Sequence, residues 1–316
     1  MITGDGLATR AASRDQVGIH GEACTAEALQ GNFEAAAPLY DVFARVYPED
    51  KFKLVQALQH AGHVVGMTGD GINDAPAIRQ AEVGVAVSNA TDITKSAAGL
   101  VLTTAGLAGL LAAVEVGRSV FQRIFTYTLN KITKTFHLGL FLTLGLILTG
   151  SLFVQPIHIL LLVLINDFVS MSLTTDNVRP SSQPDRWRAA PLLAIGLIMA
   201  IGWLFFSFGV FAFGRDVLLL STAQLETLMF LMLVCVAQAN VYLVRERQHF
   251  WRSRPSKWLL LASAFGFCLT IIFVLRGVFM MPLDGVIMLQ MFWVTIAFMV
   301  VLDYLKVGAF RLFRMR

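Results

Sequence analysis

Asp70, Asn73 and Asp74 fall within the run Thr68-Gly69-Asp70-Gly71-Ile72-Asn73-Asp74. Two carboxylates so close in sequence can hold a hard, oxygen-seeking cation such as Mg²⁺. Gly69 and Gly71 let the backbone turn sharply around them. A plain hairpin turn would explain the glycines but not the two acids and the asparagine together. A second acidic turn, Thr3-Gly4-Asp5, offers a hydroxyl and backbone amides that can cradle a phosphoryl group. Lys51, in Pro48-Glu49-Asp50-Lys51, can offer a point charge to phosphate. Taken alone, the tripeptide is an ordinary turn and Lys51 an ordinary surface lysine.

A different chemistry is suggested further along. An ionisable group inside a membrane is costly and is a functional candidate by default. Asp167 sits about ten residues into the apolar run 157–173, near mid-bilayer at a rise of about 1.5 Å per residue. Its other reading is a structural acid paired to a neighbouring helix. Asn166 beside it adds polar atoms. Lys131, Lys134 and His137 recur every three residues at the entrance of the preceding run, on one broad helical face. Snorkelling explains Lys131. Lys134 and His137 read equally well as anchors or as partners along an ion path. His158 reads as interfacial, and Gln238 and Asn240 as hydrogen-bonding groups between helices.

Two physically different halves must position these groups. The 316 residues are 56% hydrophobic and 15% charged, with a mean hydropathy of +0.67. A soluble domain has about 45–50% apolar and about 25% charged residues. A disordered chain, a nucleic-acid-binding tail and a simple cytosolic enzyme are therefore excluded. Residues 1–118 carry 8 Lys/Arg and 13 Asp/Glu, and residues 119–316 carry 17 and 8. In the first half a helix over 51–60 and strands over 63–67, 83–87 and 100–103 alternate, which predicts a parallel sheet. Ligands bind beyond the carboxyl ends of such strands, where Asp70, Asn73 and Asp74 lie.

In the second half, runs 138–154, 157–173, 192–213, 227–244, 258–275 and 285–302 hold one charge in total, Asp167. A bilayer-crossing helix needs about 20 mainly apolar residues, so six spans are predicted. Connectors 176–191, 245–257 and 306–316 hold 3, 5 and 4 Lys/Arg, while the opposite side holds only Arg215 and Arg276. That asymmetry puts residues 1–118 in the cytoplasm, as does the lack of an export signal over residues 1–20. The basic excess thus reflects membrane topology and implies no nucleic-acid partner. Cys24, Cys235 and Cys268 show no paired spacing and read as buried fillers.

Here the motifs carry a likeness. TGDGINDAP, residues 68–76, resembles the hinge signature of P-type cation-transporting ATPases. MITGD, residues 1–5, resembles their second phosphorylation-domain motif, and PEDK, residues 48–51, the lysine segment of haloacid-dehalogenase-like proteins. The resemblance implies an α/β fold, a partial haloacid-dehalogenase-like Rossmannoid phosphorylation domain over 1–118. A stalk helix over 119–135, a six-helix transmembrane domain over 136–305 and a basic tail over 306–316 would follow. It further implies that Asp70 binds Mg²⁺, joined by Asp74, with ATP as substrate. Thr3 and Lys51 would contact the phosphoryl group, with Gly4 in the same turn. Asn73 and Asp74 would organise the phosphorylation site, and Asp5 would act at the nucleotide and domain interface.

Among subfamilies, plasma-membrane proton pumps are the most similar. Leu164-Ile165-Asn166-Asp167 resembles their intramembrane motif, which would make Asp167 the proton acceptor, with Asn166, Lys134 and His137 around it. Magnesium and calcium pumps share the hinge motif. The apolar runs lack further acids, which favours a proton over a divalent ion that wants several oxygen ligands. The family's phosphorylated DKTGT motif does not occur. The nucleotide-binding domain, the actuator domain and four earlier helices are likewise absent. The chain is thus expected to be the C-terminal part of a multi-pass plasma (inner) membrane pump, inactive alone. It would be a remnant, or one half of a split pump needing a complementary N-terminal half. A membrane-tethered phosphatase would need a DxD pair, and none occurs.

Overall fold

The computed structural model describes residues 2, 22–29, 33–106, 108–150, 152–181 and 188–313. These form two compact units that divide between Val114 and Glu115.

Among its described residues the first unit carries two small parallel sheets. Strand β1 (Ala23–Thr25) pairs with β2 (Val42–Ala44) around a helical turn, α1 (Phe33–Ala36). Ile2 forms a bridge to Phe43 on β2. Helix α2 (Pro48–His60) starts with Pro48, whose missing N–H costs nothing in a first turn, and with Glu49 and Asp50 facing the positive helix end. The second sheet orders β3 (Gly66–Gly69), β4 (Val83–Ala86) and β5 (Leu100–Val101), with α3 (Ala75–Gln80) and α4 (Asp92–Ala97) as crossovers. Strand β3 begins three residues later than the apolar pattern predicts. Val64 is exposed, and the Val65 amide donates to Glu82 at 2.9 Å instead of to a strand. That bond and one from Gln59 hold the Glu82 carboxyl below the usual range, the Gln59 bond contributing most.

Among its described residues the second unit carries six helices long and apolar enough to cross a membrane. They are α5 (Ala108–Thr149), α6 (Pro156–Ser172), α7 (Ala189–Asp216), α8 (Thr222–Val244), α9 (Lys257–Arg276) and α10 (Gly285–Leu312). Helix α5 is continuous, so the predicted stalk and first span are one element. Helix α10 continues to Leu312, so residues 306–312, expected in a tail, are helical. Ser221, Ser256 and Asp284 cap α8, α9 and α10 by accepting backbone N–H groups of the first turn. Helix α8 is the axis of the unit: every residue from Thr227 to Val241 is buried, against α6, α7, α9 and α10. A helix apolar all round belongs in such a core. The outer helices instead expose Ile147, Phe205 and Leu261, as lipid-facing surfaces do.

One prediction about a single residue fails: Cys268 on α9 is exposed, although Cys24 and Cys235 are buried. His158, in the first turn of α6, is 2% exposed, contacts the Phe279 carbonyl at 3.2 Å and packs on Phe230.

Candidate functional site

In the first unit, the chemistry collects at the carboxyl end of β3. The chain leaves Gly69 into a single 3₁₀ turn, Ile72–Asp74, which leads directly into α3. This turn folds the Asp74 carboxylate back under the strand end. Oδ2 accepts the Gly71 N–H at 3.3 Å, and Oδ1 takes the Lys51 ammonium from α2 at 2.6 Å. Both side chains of that pair are largely buried, at 18% and 10% exposure. Gly69 is required for the closure: a Cβ there would lie 2.5 Å from the Asp74 Cβ. Thr94 on α4 fastens the turn from the other side through its Oγ1, which donates to the Gly71 carbonyl at 2.8 Å.

Asp70 and Asn73 are exposed at the same strand end. Among the described residues no group of three or more His, Cys, Asp or Glu gathers into a ready-made metal cage. Asp70 nevertheless suits Mg²⁺, which is commonly held by one or two carboxylates plus waters and substrate phosphates. Thr3, Gly4 and Asp5 lie outside the described residues. Their neighbour Ile2 packs with Phe43 on one side and Val55 and Met67 on the other.

In the second unit, Asp167 on α6 meets Lys131 on α5, with Nζ 3.3 Å from Oδ1. Lys134, one turn along, donates to Ser170 Oγ at 3.3 Å. His137 turns the other way, to Ser207 on α7 at 2.8 Å, and is buried. The predicted face is therefore divided between two neighbours. These groups border a cavity of about 240 Å³, which Asn166, Thr133, Trp203 and Asn240 also line. A buried amide chain runs beneath it: Trp203 Nε1 donates to Asn240 Oδ1 at 3.1 Å, and Asn240 Nδ2 to Asn130 Oδ1 at 2.8 Å. Asn166 Oδ1 and Thr133 Oγ1 are buried without a partner in the structure.

Several partners carry no mark in the local sequence. Lys131, which snorkelling alone explains, is the group facing Asp167. Asn130 lies one residue before Lys131 and four before Lys134. Asn240 bonds between helices as expected, but both Gln238 side-chain atoms are buried and unpartnered. Asp303 on α10 follows the last apolar run and is fully buried. It accepts from Lys306 at 2.7 Å and lies against His249 at 2.5 Å, and it does not line the cavity.

Comparison with known proteins agrees with this layout. Residues 53–114 match the family model of haloacid dehalogenase-like hydrolases. Residues 151–308, half of the chain, match the model of the cation transporting ATPase C-terminus. The chain belongs to the P-type cation-transporting ATPase family. A relative from Methanocaldococcus jannaschii, named "Putative cation-transporting ATPase MJ1226", is 33% identical over 281 residues, 89% of this chain and 35% of that protein. The chain thus spans about a third of the length of that relative. A solved structure of the catalytic domain of the CPx-ATPase CopB-B is 27% identical, with a TM-score of 0.28, over 35% of this chain and 36% of the other.

Proposed function

We propose that this chain is the C-terminal part of an ATP-driven pump that exports protons through an aspartyl-phosphate cycle. The supporting observation is the cavity between α5 and α6, where Asp167 is the one carboxylate among the lining residues and faces Lys131. A divalent cation wants several oxygen ligands and would be repelled by Lys131 and Lys134. A carboxylate that gains and loses a proton needs only a changing cationic neighbourhood. In the proposed cycle, Asp167 takes a proton from the cytoplasmic side. Movement of the Lys131 ammonium toward it then favours the ionised form and releases the proton outside, as the pump switches between two states. Lys134 and His137 hold the adjoining helices through Ser170 and Ser207.

In the first unit, Lys51 would contact the phosphoryl group, with Asp74 holding its ammonium at the strand end. Thr3 and Gly4 would complete the cradle, and Asp5 would act at the nucleotide side. Asp70 would hold Mg²⁺, with Asp74 behind it and Asn73 fixing the turn. The bound ion would neutralise charge on the phosphoryl oxygens. The acceptor aspartate and nucleotide site would come from a complementary N-terminal half. The assembled pump would sit in the plasma (inner) membrane with residues 1–118 cytoplasmic.

The test is reconstitution of the chain with that half in vesicles, followed by a pH-sensitive dye after ATP addition. Absence of ATP-driven acidification would sink the proton reading, and acidification that survives Asp167→Asn would sink the role given to Asp167. A second reading, a metal-cation pump, is favoured by the unpartnered oxygens of Asn166 and Thr133. It predicts uptake of a radiolabelled metal ion without acidification.

A further inference from the structure

A second, larger concavity lies away from the cavity of Asp167, at the ends of the helices where the basic connectors emerge. It measures about 1280 Å³, larger than most small-molecule pockets at about 300–1,000 Å³. Its walls come from α5, from the residues following α6, from the α8–α9 connector and from the last turns of α10. Among the described residues five arginines line it (Arg179, Arg245, Arg247, Arg252 and Arg311) against one carboxylate, Glu246.

The arginines differ in what they already do. Arg245 is spent: it is buried and paired with Asp176, Nε to Oδ2 at 2.9 Å. Arg247 lies over the Phe125 ring, 4.7 Å from its centroid, and donates to Gln122 Oε1 at 3.1 Å. The side chains of Arg179, Arg252 and Arg311 are exposed and have no carboxylate partner among the described residues. They come from three separate segments and converge on one cleft, which local sequence cannot arrange by chance of spacing. Val178, Val307 and Phe310 supply apolar wall between them.

Guanidinium groups bind phosphate oxygens through paired N–H donors, and converging charges on an apolar wall suit an amphipathic anion better than a bare ion. Basic clusters at the ends of spans attract anionic headgroups. We propose that this cleft binds a phosphate group, with Arg179, Arg252 and Arg311 as its ligands, presented by an anionic phospholipid headgroup or by a soluble phosphate compound. The inference is independent of which cation the protein moves.

The test uses the full chain in neutral detergent micelles, with thermal unfolding as the readout. Three additions are compared: phosphatidylglycerol, phosphatidylcholine and inorganic pyrophosphate. Phosphatidylglycerol, which adds a net anion, is expected to raise the unfolding temperature more than phosphatidylcholine does. The triple variant R179Q/R252Q/R311Q should need roughly a hundredfold more anionic lipid for the same shift. A charge-matched control, R188Q/R254Q/K257Q, alters residues outside the cleft and should keep the full response. Stabilisation by pyrophosphate alone, lost in the triple variant only, supports the phosphate site and assigns it to a soluble ligand. Equal loss in both triples would reduce the effect to bulk charge and overturn the proposal, as would no shift from any anionic phosphate. Replacing the three arginines removes no side-chain hydrogen bond or ion pair among the described residues, and each single variant gives an independent reading.

Discussion

Lys51 and Asp74 stand 23 positions apart, on different elements, and their charged groups meet at 2.6 Å beneath the carboxyl end of β3. Two motifs that are unremarkable separately become one device: α2 brings the cation, the 3₁₀ turn brings the anion, and Gly69 leaves room for both. Replacing Lys51 by Met strands a largely buried carboxylate. The full chain should lose about 1–3 kcal/mol, measurable by denaturant titration, and Asp74→Asn should lose less. Gly69→Ala should disturb the same pair, since its methyl enters the space of the Asp74 side chain. If G69A and K51M destabilise additively, the two sites are not coupled and the account of the turn is wrong.

Asp167 and Lys131 make the second prediction. Both side chains are about half exposed and border the cavity, so replacing either one strands no fully buried charge. Asp167→Asn and Lys131→Met should therefore leave the unfolding temperature nearly unchanged. In the reconstituted pump, D167N should abolish acidification, and K131M should slow proton release so that the pump runs only against a weaker gradient. A large stability loss in either variant would assign the pair a structural role.

Asp176 and Arg245 behave in the opposite way. Each side chain is 2% exposed, and Asp176 also accepts the Ser256 N–H at 2.9 Å where α9 begins. Arg245→Met alone should cost about 3–5 kcal/mol, because a buried charge is left unpaired. The double replacement Asp176→Leu, Arg245→Met should recover part of that loss in the same unfolding assay. The Ser256 amide would still lack its acceptor, so recovery should be incomplete.

Glu82 sets a pH dependence. Its carboxyl is held low chiefly by the Gln59 hydrogen bond, then by the Val65 amide. A depressed carboxylate contributes stability that is present above its unfolded-state range and disappears as pH falls through the folded value. Melting curves from about pH 6 to about pH 3 should thus show a smaller acid loss in Glu82→Gln than in the unsubstituted chain. Parallel curves would show that the bond carries no linkage.

Much of this architecture was readable from local pattern. The apolar runs located six helices because lipid leaves no polar face to interrupt them, and TGDGIND located the strand-end turn because its two glycines let the chain reverse straight after an apolar strand. What escaped was whatever depends on the neighbour a side chain meets. Lys131 differs from Lys134 only in which residue of α6 lies opposite. His158 carries no mark of burial, which comes from the Phe279 carbonyl and Phe230 folding over it. Asp303 sits one residue past its apolar run, and its burial is set by Lys306 and by His249 from another connector.

The enclosure of α8 bears on how the chain is made. Helices leave the ribosome in order, so α8 emerges after α6 and α7 but before α9 and α10, two of the four walls that later surround it. Until α9 arrives, Gln238, whose amide lies against Gly266 of that helix, must face lipid or the insertion machinery. A nascent chain stalled after α8 should therefore be the stage at which chaperones of membrane insertion hold on longest, and at which quality-control proteases find their easiest target.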